Sequence, residues 1–154
     1  MLLTVHAATG VLIGQKTNNW WLAFIIAFIA HFIMDMIPHG DQNLIEEYRA
    51  KTKPKQIVQL ILIDIGLCLA FNLFWLIKFH NNIISYLAIF MALAGSLLPD
   101  LLVGVHEVYP KLFRRFYQAH EFFHDIFKTK KISLSTGLMM QLAILILLFA
   151  FYNF

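Results

Sequence analysis

Residues 57–79 read IVQLILIDIGLCLAFNLFWLIKF, an apolar run interrupted by one acid, Asp64, and one base near its end, Lys78. As a helix rising 1.5 Å per residue, this run is about 34 Å long, enough to cross a hydrocarbon core of about 30 Å. It is the clearest membrane span in the chain. Outward from it lie four more apolar stretches. Trp20–Ile37 opens on the pair Trp20 and Trp21 and stops at Pro38; Ile83–Leu98 stops at Pro99; Ile132–Phe154 closes the chain; and Leu2–Gly14 comes first. This first stretch is too short to span alone and has no basic start of the kind a signal peptide carries. We expect it to be a short helix sheltered by the others.

Composition agrees. Of 154 residues, 60% are hydrophobic and 14% charged, against roughly 25% charged in an ordinary soluble domain, and the mean hydropathy is +0.70. A single cysteine, Cys68, excludes a disulfide within the chain. The expected architecture is therefore all-α: one membrane domain over residues 1–154, with about four spanning helices and the short N-terminal one. The basic residues flank apolar segments, which argues for anionic lipid and topology control rather than nucleic acid.

If the segments alternate across the bilayer, connections 38–56 and 105–131 share a side. They carry Arg49, Lys51, Lys53, Lys55, Lys111, Arg114, Arg115, Lys128, Lys130 and Lys131, ten of the twelve basic residues. Positive loops stay in the cytoplasm, so both long loops are expected there, with the protein in the cell (inner) membrane.

The ionisable residues of the spans gather toward that same end. His6 lies early in the first segment, His31 and Asp35 close the second, and Asp64 lies roughly 10 Å into the third. Asp100 follows Pro99. Charge in hydrocarbon costs about 2.5–3.5 kcal/mol or more, so such residues signal function. His31 and Asp35, at i and i+4, share a face. His6, Gly10 and Gly14 form a stripe that lets another helix approach closely, and Ala88, Ala92 and Gly95 form a second. His39 and Asp41, in Pro-His-Gly-Asp, read singly as a loop turn.

In residues 111–128, Phe113, Phe116, Tyr117, His120, Phe123, His124 and Phe127 share one helical face. Lys111, Arg114, Arg115, Gln118, Asp125 and Lys128 occupy the other, and Phe122 fits neither. This predicts an amphipathic helix at the cytoplasmic membrane surface, its two histidines on the apolar face at i,i+4 spacing. Several histidines and carboxylates at one depth are united most economically by a divalent cation. Mixed imidazole and carboxylate ligands favour zinc, with manganese or iron next, over magnesium.

The pieces His6-Ala-Ala-Thr-Gly10, His31-Phe-Ile-Met-Asp35, Ser96-Leu-Leu-Pro-Asp100 and His120-Glu-Phe-Phe-His124 resemble motifs of the YdjM-like membrane-bound metal-dependent hydrolases. The resemblance implies a metal held by His6, His31, Asp35, Asp100, His120 and His124. Leu102 stands where that family has a second aspartate, Glu121 where it has arginine, and Phe123 where it has threonine. The His-x3-Asp motif also precedes the Pro-Asp motif here. A hydrolase of this kind would act on an amphiphilic substrate such as a phospholipid, with Asp64 or Glu121 as general base. Two other functions fit the same residues: a metal or proton transporter subunit, which would call for a homo-oligomer, and a structural membrane protein with an inert metal site.

Overall fold

The computed structural model describes residues 1–40, 54–78, 83–126 and 132–152. Among them the chain forms six helices and no strand: α1 (Leu3–Lys16), α2 (Trp20–Asp35), α3 (Pro54–Lys78), α4 (Ile83–Val108), α5 (Arg114–Asp125) and α6 (Leu134–Tyr152). Three stretches, Val58–Trp75, Tyr86–Val108 and Leu134–Phe151, are long and apolar enough to cross a membrane, and α2 is a shorter apolar helix. Leu62, Leu69 and Ile77 of α3, and Met139, Ile146 and Leu147 of α6, are exposed on the outside of the bundle. Apolar surface this continuous is stable against lipid and not against water. The chain is a helical membrane bundle.

The short α1 sits inside it. Thr4, Val5, His6, Ala7, Ala8, Gly10, Val11 and Gly14 are all buried, so the other helices shelter it from lipid. Small residues make this fit. A Cβ on Gly10 would lie 2.6 Å from Ser96 Oγ and 3.0 Å from the Ala92 carbonyl, and one on Gly14 would collide with the Ile89 backbone. The stripe opposite is equally lean: Ala23 and Ala27 of α2 pack on Ala88 and Ala92 of α4, and Gly95 abuts the Phe24 carbonyl. Close backbone approach supplies the van der Waals contact that holds helices together in lipid, where no hydrophobic drive separates them from their solvent. At the far end, Val11, Trp75 and Ile89 form an apolar plug.

Contacts fix the helix directions. The N-terminus of α1 meets the end of α2, Asp64 meets the start of α1, and Asp100 approaches His6. Successive spans therefore alternate, and the polar residues fall at one end of the bundle.

Two helix ends differ from the sequence expectation. Pro99 does not stop α4, which continues to Val108 with the proline inside. Proline removes one N–H and crowds the carbonyl four residues back; here that carbonyl belongs to Gly95, which has no side chain to worsen the crowding. The amphipathic helix covers Arg114–Asp125, shorter than residues 111–128, and begins after Phe113, whose φ is 54°. Phe122 is exposed while Phe116, Tyr117, Phe123 and His124 are partly buried and His120 fully, as the face assignment requires; Phe113, expected on the same face, is exposed because it precedes the helix. Asp41, Arg49, Lys51, Lys53, Phe127, Lys128, Lys130 and Lys131 lie outside the described residues.

Candidate metal centre

The end of α2 supplies the centre's middle. His31 and Asp35 occupy one helical face, both about 1% exposed. The Asp35 Oδ2 atom lies 3.1 Å from His31 Nε2 and 3.3 Å from His120 Nε2, and the two nitrogens are 3.2 Å apart. Asp100 Oδ1 stands 3.7 Å from each of those nitrogens. Around a tetrahedral ion with bonds of 2.0–2.1 Å, neighbouring ligand atoms are separated by about 3.3–3.4 Å. Three of the measured edges lie at or just below that value and the two to Asp100 lie above it. The polyhedron is ion-sized.

His6 joins from α1. Its Nε2 lies 3.1 Å from Asp35 Oδ1 and 3.8 Å from Asp100 Oδ2, and its ring stacks on His31 at a centroid distance of 4.1 Å. Four helices thus contribute: α1, α2, α4 and α5.

The orientation of the rings is set from behind. His31 Nδ1–H donates to the Ser96 carbonyl at 2.8 Å. A carbonyl only accepts, so the proton is on Nδ1 and the Nε2 lone pair faces the centre, the arrangement that metal-bound histidines adopt. Despite the short distances, Asp35 Oδ2 is buried and makes no hydrogen bond, as is also true of Asp100 Oδ2 and His120 Nδ1. Buried carboxylate oxygens without donors are costly. The ligand atoms of His31, Asp35, Asp100 and His120 all lie within 4.8 Å of one another. Such a buried His and Asp group could hold a metal ion.

His120 comes from α5, outside the long apolar helices. Burial lowers its pKa, but the Asp100 and Asp35 carboxylates beside it outweigh that and push it up to about 9. Without an ion, an imidazolium there balances part of the carboxylate charge.

Comparison with protein-family models, with curated proteins and with solved structures finds no match. The geometry stands by itself.

Of the residues expected from sequence, His6, His31, Asp35, Asp100 and His120 come together. His124 is one helical turn beyond, with Nε2 3.1 Å from His39 Nε2. Asp64 lies apart from these ligand groups and has another task. Its carboxylate accepts from Leu3 N at 2.7 Å, Thr4 N at 3.1 Å and Thr4 Oγ1 at 2.6 Å. Leu2, at the N-cap of α1, offers no side-chain hydrogen bond, and in lipid no water replaces one. Asp64 caps α1 from across the bundle. A carboxylate held by three donors is poorly placed to take a proton from substrate or water. Glu121 is half-buried and belongs to neither ligand group.

Sequence reading missed His39, which is 0% exposed. Its turn is pinned against α6: Gly40 adopts φ 78°, a Cβ there would press on Ser133 O, and Gly137 lies beneath the His39 carbonyl. Gln141 completes the anchor, accepting from Leu2 N at 2.8 Å and donating to the His39 carbonyl at 3.1 Å. Gln141 is a polar residue in an otherwise apolar stretch of α6, and that was its one signal.

Proposed function

We propose that this chain is a membrane-embedded metal-dependent hydrolase whose centre lies at headgroup depth on the cytoplasmic side and acts on an amphiphilic phosphoester. The observation that carries the reading is the gathering of two imidazole nitrogens, from His31 and His120, and two carboxylates, Asp35 and Asp100, around one ion-sized space at the end of the bundle. The resemblance of His6-x3-Gly10, His31-x3-Asp35, Pro99-Asp100 and His120-x3-His124 to membrane hydrolase motifs points the same way.

A divalent ion held there would polarise a phosphoryl oxygen and lower the pKa of a bound water. The protein's own part is positioning. His31 is locked by Ser96, and Asp35 spans the cluster with both oxygens. Asp100, at the wide vertex and 22% exposed, marks the side from which substrate reaches the centre. Exposed Lys111, Arg114 and Arg115 beside α5 attract anionic headgroups, each worth about 1 kcal/mol near a charged surface. With Asp64 committed to capping, Glu121 is the carboxylate left from the expected pair to serve as base.

Hydrolysis of phospholipid or a synthetic phosphodiester in mixed micelles tests the reading. Turnover should require added zinc or manganese and vanish in His31→Ala. Bound metal with no turnover would favour a closed structural site, for which four protein ligands are also the usual number; in that case removing the metal lowers Tm and nothing else.

A further inference from the structure

We propose that the centre holds two divalent ions bridged by Asp35, the second taken by His39 and His124. The proposal rests on the metal-dependent reading above and extends it. His31, Asp35, Asp100 and His120 form one group of converging ligand atoms, and Asp35, His39 and His124 form another. Asp35 is the shared residue. Its Oδ2 faces His31 and His120, whereas its Oδ1 faces the other way, 2.9 Å from the α-amino nitrogen of Met1 and 3.1 Å from His6 Nε2. A carboxylate offering one oxygen to each of two sites holds its ions about 3.5–4 Å apart, the spacing of two-metal hydrolytic centres.

The second position has the features of a ligand set. His39 Nδ1–H donates to the Ile37 carbonyl at 2.6 Å, so its Nε2 carries a lone pair toward the centre, as His31 does from Ser96. The Nε2 atoms of His39 and His124 are 3.1 Å apart, close to the separation of about 3.3 Å for two nitrogens on one ion. A positive group already sits there: the Met1 ammonium lies 2.9 Å from both Asp35 Oδ1 and His39 Nε2. Gln141, Gly40 and Gly137 hold the His39 turn in place. An ion at this position would take the place of the ammonium. Paired ions here would supply a clamp for the attacking and leaving oxygens of an in-line displacement at a phosphoester.

The probe is Mn2+ alone, titrated into metal-stripped full-length protein in detergent and followed by metal analysis and electron paramagnetic resonance. Wild type should take up close to two equivalents with the exchange-coupled spectrum of a bridged pair, and His39→Gln close to one with an uncoupled spectrum. The wild-type spectrum needs no variant, so a folding defect in His39→Gln leaves the test intact. One equivalent and an uncoupled spectrum in wild type, with metal-dependent turnover kept, would overturn the second site and spare the hydrolase. Two equivalents without coupling would overturn the Asp35 bridge. No uptake at all would sink the metal-dependent reading itself.

Discussion

Replacing Gly14 by alanine should loosen the centre from more than two helical turns away. The new Cβ would strike the Ile89 Cα and lie 2.8 Å from Ile89 N and 2.9 Å from the Ala88 carbonyl. All three are backbone atoms of α4, so no rotamer change relieves the overlap. Restoring ordinary contact requires α1 to move from α4 by roughly 1 Å, and overpacking of this kind costs about 1–3 kcal/mol. Since α1 carries His6 and α4 carries Asp100 and the Ser96 carbonyl that orients His31, the shift exceeds the ~0.5 Å tolerance of a functional site. Metal affinity should fall about 10- to 100-fold, as when an outer partner of a ligand is lost. Gly10→Ala should be milder, because Ser96 Oγ can rotate, leaving contacts of 3.0 Å to Ala92 O and 3.2 Å to Ser96 Cβ. Gly66→Ala is the control, with nothing within 4 Å of its Cβ. Chelator competition and thermal unfolding in detergent should rank the losses Gly14, then Gly10, then Gly66. If Gly14→Ala matches Gly66→Ala in both measurements, the close α1–α4 packing does not govern the centre.

Two further expectations follow from particular side chains. Asp64→Ala should lower unfolding stability by about 1–3 kcal/mol through loss of the α1 cap while metal uptake is kept; full stability with lost turnover would instead make Asp64 the catalytic base. For His120, a pKa of about 9 exceeds the ordinary 6.5, so at pH 7 the metal-free protein carries a proton that an ion must expel. Uptake at pH 7 should release about one proton from this residue, with apparent affinity rising up to tenfold per pH unit until about pH 9. The same raised pKa gives the metal-free fold a stabilising contribution that is complete below about pH 6.5 and lost as pH rises through about 9. Calorimetry in buffers of different ionisation enthalpy and Tm against pH measure both; affinity indifferent to pH would contradict the assigned charge.

Much of this was legible because membrane helices obey few rules. Length and hydropathy marked the spans, i,i+4 spacing placed His31 with Asp35, and the glycine and alanine stripes identified the faces that meet. The depth of Asp64 was legible and its task was not. A helix start that needs an outside cap is a tertiary circumstance, since nothing in Leu2-Leu3-Thr4 says which carboxylate will reach it. Pro99 was misleading for a related reason: local rules read it as a stop, whereas α4 runs past it to Val108, where His106 stacks on Tyr117 of α5. His39 looked like a turn residue, as it is, but the same turn folds its ring under α5 because Gly137 lets it approach α6.

Metal content of the purified protein bears most directly on the whole account. After expression in metal-replete medium, the wild-type protein should carry a divalent ion in stoichiometric amount, and a folded His31→Ala/His120→Ala variant should carry almost none. A well-folded wild-type protein that neither retains nor takes up zinc, manganese or iron would contradict it.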